Sequence, residues 1–225
     1  MTDAATDRQV LRDQYSDAER LAARQAVWQF NTGPALLDAV MDLARLSGSE
    51  TVVDVGCGNG RYLAELRRRG HCGPVIGLDL SAGMARESRG YAFTAVADAE
   101  HLPLRTGGVD VALCLHMLYH VPDIPRAAAE LRRVTRPGGT LVVCEFSTPT
   151  WRPFRALYRD YLVAALPRIA SAVSSNPAAY EYLAESILAW PDQAALAAVI
   201  EAAGWQRVEW RNLSGGIVAL HRARA

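Results

Sequence analysis

From residue 51 the chain alternates short apolar runs with segments of helical spacing, and that rhythm leaves few folds open. Thr51–Val55, Val75–Asp79, Phe93–Ala97, Val109–Leu115 and Thr140–Phe146 read as strands. Arg61–Arg69, Ala82–Arg89 and Ile124–Thr135 read as the helices between them. Gly70 ends the first of these, and Pro137-Gly138-Gly139 stops the last. Strands this apolar need cover on both faces. Parallel strands joined by right-handed helical crossovers provide it, so the expected fold is α/β, a doubly wound, Rossmann-like sheet. Before residue 51, Val10, Leu11, Leu21, Val27, Trp28 and Phe30 recur at helical spacing, and Pro34–Leu46 forms a further helix with Pro34 in its first turn. Residues 149–190 break the rhythm with two or three helices rich in Tyr, Ala and Pro. Pro191–Ala203 resumes as a crossover helix. Trp205–Asn212 and Ile217–His221 then read as a hairpin turned at Ser214-Gly215-Gly216.

Composition removes several function classes. A chain of 225 residues, 50% hydrophobic and 21% charged, suits a soluble domain with a sizeable core. Its formal net charge is zero, whereas nucleic-acid binders carry a basic surplus, so no nucleic acid is expected as partner. All 24 basic residues are arginine, which excludes lysine Schiff bases and a Walker-type phosphate lysine. Cys57, Cys72, Cys114 and Cys144 form no CxxC pair. Free thiols in a reducing compartment are expected, and no metal site. The N-terminus lacks an apolar signal core and no apolar run reaches membrane-spanning length, so the expected location is the cytoplasm.

The strongest constellation is Val53-Asp54-Val55-Gly56-Cys57-Gly58-Asn59-Gly60. Here a buried strand runs through three glycines into a helix N-terminus, whose outward N–H groups suit a polar ligand. Dinucleotide and S-adenosylmethionine (SAM) sites share such loops. Three details favour SAM. A dinucleotide G-x-G-x-x-G needs glycine at 61, where Arg61 stands. Asp54 would repel a pyrophosphate but suits a cationic amino-acid moiety. Asp98 adds a polar contact beyond the acid of the second strand. Asp79, 19 residues after Gly60, can accept both ribose hydroxyls. Asp98-Ala99 can receive the adenine amino group, with Leu80 and Met84 flanking the ring and Leu115 lining the crevice. Alternatively, Asp79 and Asp98 merely cap the turns that follow them.

Residues 51–145 resemble the class I SAM-dependent methyltransferase family. VVDVGCGNG, GLDLS and AVADAEHLPL match its cofactor motifs, and DVALCLHMLYHVPD followed by RVTRPGG matches its fourth- and fifth-strand signatures. That resemblance implies a seven-stranded sheet with an antiparallel last strand. The stretch VVCEFSTP, then LPRIASAVSSNPAAYEYLAESILAWPDQAAL, then AGW and NLSGGIVALH, is similar to the demethylmenaquinone and ubiquinone C-methyltransferase family. By implication the acceptor is a quinol-like aromatic ring. The expected organisation is an N-terminal helical segment on the cofactor site (1–50), a SAM-binding core (51–148), a helical lid or acceptor-binding insertion (149–190), and the last helix and hairpin of the core (191–225).

The chain departs from that second family at two places. The family's Gly-Leu-Arg-Asn segment is Met117-Leu118-Tyr119-His120 here, so Tyr119 stands where an arginine is proposed to help deprotonate the quinol. The Tyr-Asp-x-x-Asn segment is absent, leaving Tyr15 to occupy similar space. Methyl transfer needs positioning and water exclusion, and a general base assists where the acceptor hydroxyl must lose its proton. His116 and His120, just past the fourth strand, are the candidates, with Tyr119 beside them. Either histidine can instead serve only the strand–helix turn. Tyr158 and Tyr161 can line the acceptor pocket or simply fill core. Glu145 can meet substrate or cap the next segment, and His221 reads as a packed strand histidine. Other readings are O- or N-methylation of a soluble metabolite, a catalytically silent SAM-binding module, and a nicotinamide oxidoreductase, which Arg61 opposes. With no basic amphipathic helix apparent, at most peripheral membrane contact is expected.

Overall fold

A computed structural model of the chain describes residues 34–162 and 186–225. In chain order its elements are α1 (Pro34–Ala44), β1 (Val52–Val55), α2 (Arg61–Arg68), β2 (Val75–Asp79), α3 (Ala82–Glu87), β3 (Phe93–Val96), β4 (Val109–Leu115), α4 (Ile124–Val134), β5 (Thr135–Phe146), α5 (Arg152–Asp160), α6 (Gln193–Ala202), β6 (Gln206–Leu213) and β7 (Val218–Arg224). The strands form one seven-stranded sheet in the order β3-β2-β1-β4-β5-β7-β6. β1 to β5 pair in parallel, and β7 runs antiparallel to both β5 and β6. The doubly wound, mostly parallel sheet with an antiparallel last strand is therefore the observed fold.

Alternation along the central strands builds two apolar layers, as a sheet buried on both faces demands. Val53, Val55, Ala112, Cys114, Leu141 and Val143 meet Ala127, Leu131, Leu196 and Trp205 of the α4 and α6 side. Val52, Val111, Leu113, Val142 and Cys144 meet Leu36, Val40 and Met41 of α1 and Leu63 and Leu66 of α2. Residues 1–33, Tyr15 among them, lie outside the described residues, as do residues 163–185 of the expected lid.

Two local expectations need correction. β5 starts at Thr135 rather than Thr140. Thr135 pairs with Val109, and the register shifts before Val111 pairs with Thr140. The Gly138 amide donates to the Ala225 carbonyl at 2.9 Å, and the Ala225 amide to the Gly139 carbonyl at 3.0 Å. Pro137-Gly138-Gly139 is thus an irregularity inside a strand, because these bonds carry the chain across it. The second correction concerns α5, which is a basic amphipathic helix. Arg152, Arg155 and Arg159 form one row, and Phe154, Leu157, Tyr158 and Tyr161 form another. Pro153 occupies the first turn, where its missing N–H is harmless.

The chain runs outward from β1 through β2 to β3, then returns to lay β4 on the other side of β1. That reversal opens a crevice beyond the carboxyl ends of β1 and β4, the place where open α/β sheets bind ligands. Among the described residues, no helix is long and apolar enough to cross a membrane.

Candidate functional site

The glycine loop forms the floor of this crevice. The Gly56 and Cys57 amides donate to the Leu78 carbonyl at 2.7 and 3.1 Å, fastening the loop to β2. Gly56, Gly58 and Gly60 all adopt positive φ, at 75°, 53° and 82°. A Cβ on Gly56 would lie 2.6 Å from the Met117 Cβ. Conformation and close approach therefore both demand glycine at position 56. Gly60 is the left-handed N-cap that turns the loop into α2. Asn59, half-buried, sits between these last two glycines.

Two acids back the loop. Asp79 Oδ2 accepts from the Gly58 amide and Oδ1 from the Ser81 amide, both at 2.8 Å. It thus holds the loop and the β2–α3 turn together, while each oxygen keeps a second lone pair for a ligand hydroxyl. Burial raises its pKa. Asp54, 1% exposed, has no hydrogen-bond partner on either oxygen. Burial, and then the charge of Asp79, push its pKa up to about 8. An orphaned buried carboxyl is costly, and a cation seated beside it relieves that cost. The amino-acid end of SAM carries such a cation, so the residues present fit the cofactor.

The adenine-side residues follow on. The Ala97 amide donates to the Asp79 carbonyl at 2.9 Å, which brings the end of β3 to the end of β2. Asp98 Oδ1 accepts from the Glu100 amide at 3.0 Å, as a turn cap would. Ala99 is buried, Leu80 is half-buried, and Met84 is sealed behind it in the interior. Leu115, also buried, ends β4.

Across the crevice stands the turn after β4. His116 adopts φ 57°, a left-handed conformation uncommon for a residue with a side chain. Its amide donates to the Cys144 carbonyl at 2.7 Å, and its Nε2 lies 3.3 Å from Cys144 Sγ. Desolvation, with Arg61 nearby, pushes its pKa down to about 4. Leu118–His120 then form a short 3-10 turn. Glu145, 0% exposed on β5, holds this turn through Oε1, which accepts from the Met117 and Leu118 amides at 2.7 Å each. Its Oε2 has no partner, and burial lifts its pKa to about 8 against those amide bonds.

An aromatic wall rises from the turn. The Tyr119 ring lies 3.9 Å from His120, 5.6 Å from Phe146 and 6.5 Å from Trp190, the last two edge-on. The His116 ring is 6.0 Å from Phe146. Tyr158 packs on the same cluster, and its hydroxyl pKa rises to about 12 by burial, whereas Tyr161 is exposed. His221 is buried on β7 with Nε2 2.9 Å from the Gln193 carbonyl, as a packed strand histidine. The structure thus gathers His116, Tyr119 and His120 opposite the glycine loop. It adds Phe146 and Trp190, which the sequence reading did not single out, and gives Glu145, offered there as substrate contact or cap, the turn after β4 as its partner. An acid inside the otherwise apolar run Val142–Phe146 is what singles out Glu145 in the sequence.

Residues 23–225 match the ubiE/COQ5 methyltransferase family. The chain belongs to this family. The methyltransferase is 50% identical over 186 residues to the demethylmenaquinone methyltransferase of Mycolicibacterium vanbaalenii, across 82% of this chain and 81% of that one. It is 47% identical over 184 residues to the enzyme of the same name from Mycobacterium marinum, across 81% and 79% of the two chains. Its fold is similar to that of a SAM-dependent methyltransferase from Thermotoga maritima, described as a possible histamine N-methyltransferase. That match has TM-score 0.66 at 20% identity and covers 92% of this chain and 96% of that one. Phosphoethanolamine N-methyltransferase 2 of Haemonchus contortus, solved with SAM, matches with TM-score 0.68 at 12% identity, over 95% of this chain and 59% of that one. The chain is a SAM-dependent methyltransferase.

Proposed function

We propose that this methyltransferase modifies a ring carbon of a quinol-type acceptor in the cytoplasm, of the demethylmenaquinone kind for which its relatives are named. The carrying observation is the wall of Tyr119, Phe146 and Trp190 beside Met117, the residue that touches Gly56. Aromatic faces and edges of this sort suit a flat ring and exclude water around it. SAM, when bound, supplies an activated methyl group on a sulfonium. Gly56, Gly58, Asn59 and Gly60 cradle its amino-acid end with Asp54. Asp79 takes the ribose hydroxyls, and Asp98 with Ala99 holds the adenine amino group near Leu80, Met84 and Leu115.

His120 takes the acceptor's hydroxyl proton, which makes the ring carbon nucleophilic. His116, whose pKa burial pushes down to about 4, is a poor base near neutral pH and serves to orient. Tyr119 seats the ring where the wider family has its arginine.

The test is turnover with SAM and a demethylmenaquinol analogue bearing a short side chain, followed by mass spectrometry of the product. A methyl on ring carbon is expected. Transfer to a simple phenol or amine, with none to the quinol, would replace this reading by O- or N-methylation of a soluble metabolite. SAM binding without transfer to any acceptor would leave a silent binding module. His120→Ala should lower kcat about hundredfold at unchanged SAM affinity, and an unchanged kcat would remove the base role.

A further inference from the structure

The turn after β4 hangs from the end of β5 by three successive amides. His116 donates to the Cys144 carbonyl at 2.7 Å, and Met117 and Leu118 each donate to Glu145 Oε1 at 2.7 Å. Within the turn, the His120 amide donates to the Met117 carbonyl at 3.0 Å and the Val121 amide to the Leu118 carbonyl at 2.9 Å. Tyr119 and His120 therefore stand on the two residues that Glu145 holds. The same base meets the cofactor loop, since a Cβ on Gly56 would lie 2.6 Å from both Cβ and Cγ of Met117. Glu145 itself is 0% exposed, so it touches neither donor nor acceptor. Sealing a carboxyl inside the apolar end of β5 is costly, and Oε2 makes no hydrogen bond to offset it. An apolar side chain here would avoid that cost but leave two amides bare. The carboxyl's one service is the shape of the turn.

We propose that Glu145 is a positioning residue for methyl transfer: it holds the turn that carries Tyr119 and His120 at a set distance from the glycine loop, so that the acceptor ring meets the donor in line. The proposal rests on the reading that Tyr119 and His120 face the acceptor. An in-line displacement tolerates little error in that distance, and a misplacement of about 1 Å costs on the order of a hundredfold in rate. Burial lifts the Glu145 pKa to about 8, so near pH 7 the acid form prevails. With the proton on Oε2, a carbonyl-like Oε1 faces the two amides, and glutamine reproduces that arrangement.

The test is steady-state kinetics and SAM binding for three variants, with whichever acceptor the wild type turns over, at a temperature where circular dichroism shows each variant folded. Glu145→Ala should lower kcat about hundredfold. Its SAM affinity should stay within about threefold of wild type, because the Leu78 carbonyl and Asp79 hold the glycine loop independently of the turn. Glu145→Gln should restore most of the rate, since its accepting oxygen has the same reach. Glu145→Asp keeps the acid but falls one methylene short, and should be as slow as Glu145→Ala. Where Glu145→Ala does not fold, the comparison of Glu145→Gln with Glu145→Asp decides. Wild-type kcat in Glu145→Ala, rescue by Glu145→Asp and not by Glu145→Gln, or a loss confined to SAM affinity would overturn the proposal. A wild type that methylates a phenol but no quinol sinks the quinol reading alone, because the same comparison runs on the phenol.

Discussion

Cofactor binding should expel a proton, and Asp54 should be its source. The Asp54 carboxyl is buried, without a partner, and lifted to about 8 by desolvation and by Asp79. Near pH 7 it is therefore about nine-tenths protonated in the free protein. A cation placed against it favours the carboxylate and returns the pKa toward the ordinary value. Binding at about pH 7 should then release about 0.9 proton, and affinity should rise roughly tenfold per unit between about pH 6 and pH 7. Calorimetry in two buffers of different ionisation enthalpy reads the proton count directly. Asp54→Asn should remove both the release and the slope, and its affinity deficit should narrow as the pH falls. No proton release in the wild type, or the same release in Asp54→Asn, would refute the reasoning.

Other consequences follow from the same geometry. Gly56→Ala places a Cβ 2.6 Å from Met117 at φ 75°, so it should abolish measurable SAM binding and lower the melting temperature in a thermal scan. Glu145→Ala strips the acceptor from two buried amides and should cost about 3 kcal/mol in chemical denaturation. Glu145→Gln keeps an accepting oxygen and should cost far less; equal losses would mean that the carboxyl's charge matters instead. The free protein should also lose stability between about pH 6.5 and pH 8. Asp54 and Glu145 both have pKa values raised to about 8 from 3.8 and 4.5, so their stabilisation is complete below the unfolded values and lost as pH rises through the folded ones. His116, lowered from 6.5 to about 4, acts oppositely, and only below 6.5, which leaves the upper window clear. Melting temperatures of the free protein across that window check the sign.

Much of the frame was legible because its signals are local. The central strands are apolar on both faces, and the glycine loop announces itself through three residues whose backbone must turn left-handed. Arg61 at the third dinucleotide position separated the two cofactor chemistries. The front half resembles methyltransferases in general and the back half the quinone enzymes; the family match runs through both. The hidden features are those made by distant partners. Glu145 meets amides 27 and 28 residues earlier in the chain. The left-handed His116 has no sequence signal, because tertiary bonds to Cys144 hold it there. Pro137-Gly138-Gly139 reads as a stop, since nothing local shows that Ala225 bonds across it. The arginine row of α5 lies in a stretch that the sequence resolves only as two or three helices rich in Tyr, Ala and Pro.

The placing of β7 has a consequence for how the protein is made. β7 follows β6 in the chain yet lies between β6 and β5. When β6 leaves the ribosome, the one strand it bonds to among the described residues has not yet been synthesised. The sheet stays open beside β5, with a row of unpaired amides and carbonyls, until residues 218–224 emerge. Ala219 and Leu220, both 0% exposed, then fill its interior. The nascent chain thus keeps a strand edge bare until β7 emerges, and the sheet closes beside β5 only then. A tag fused directly after Ala225, whose backbone bonds Gly138 and Gly139, pulls on that closing seam rather than on a loose end.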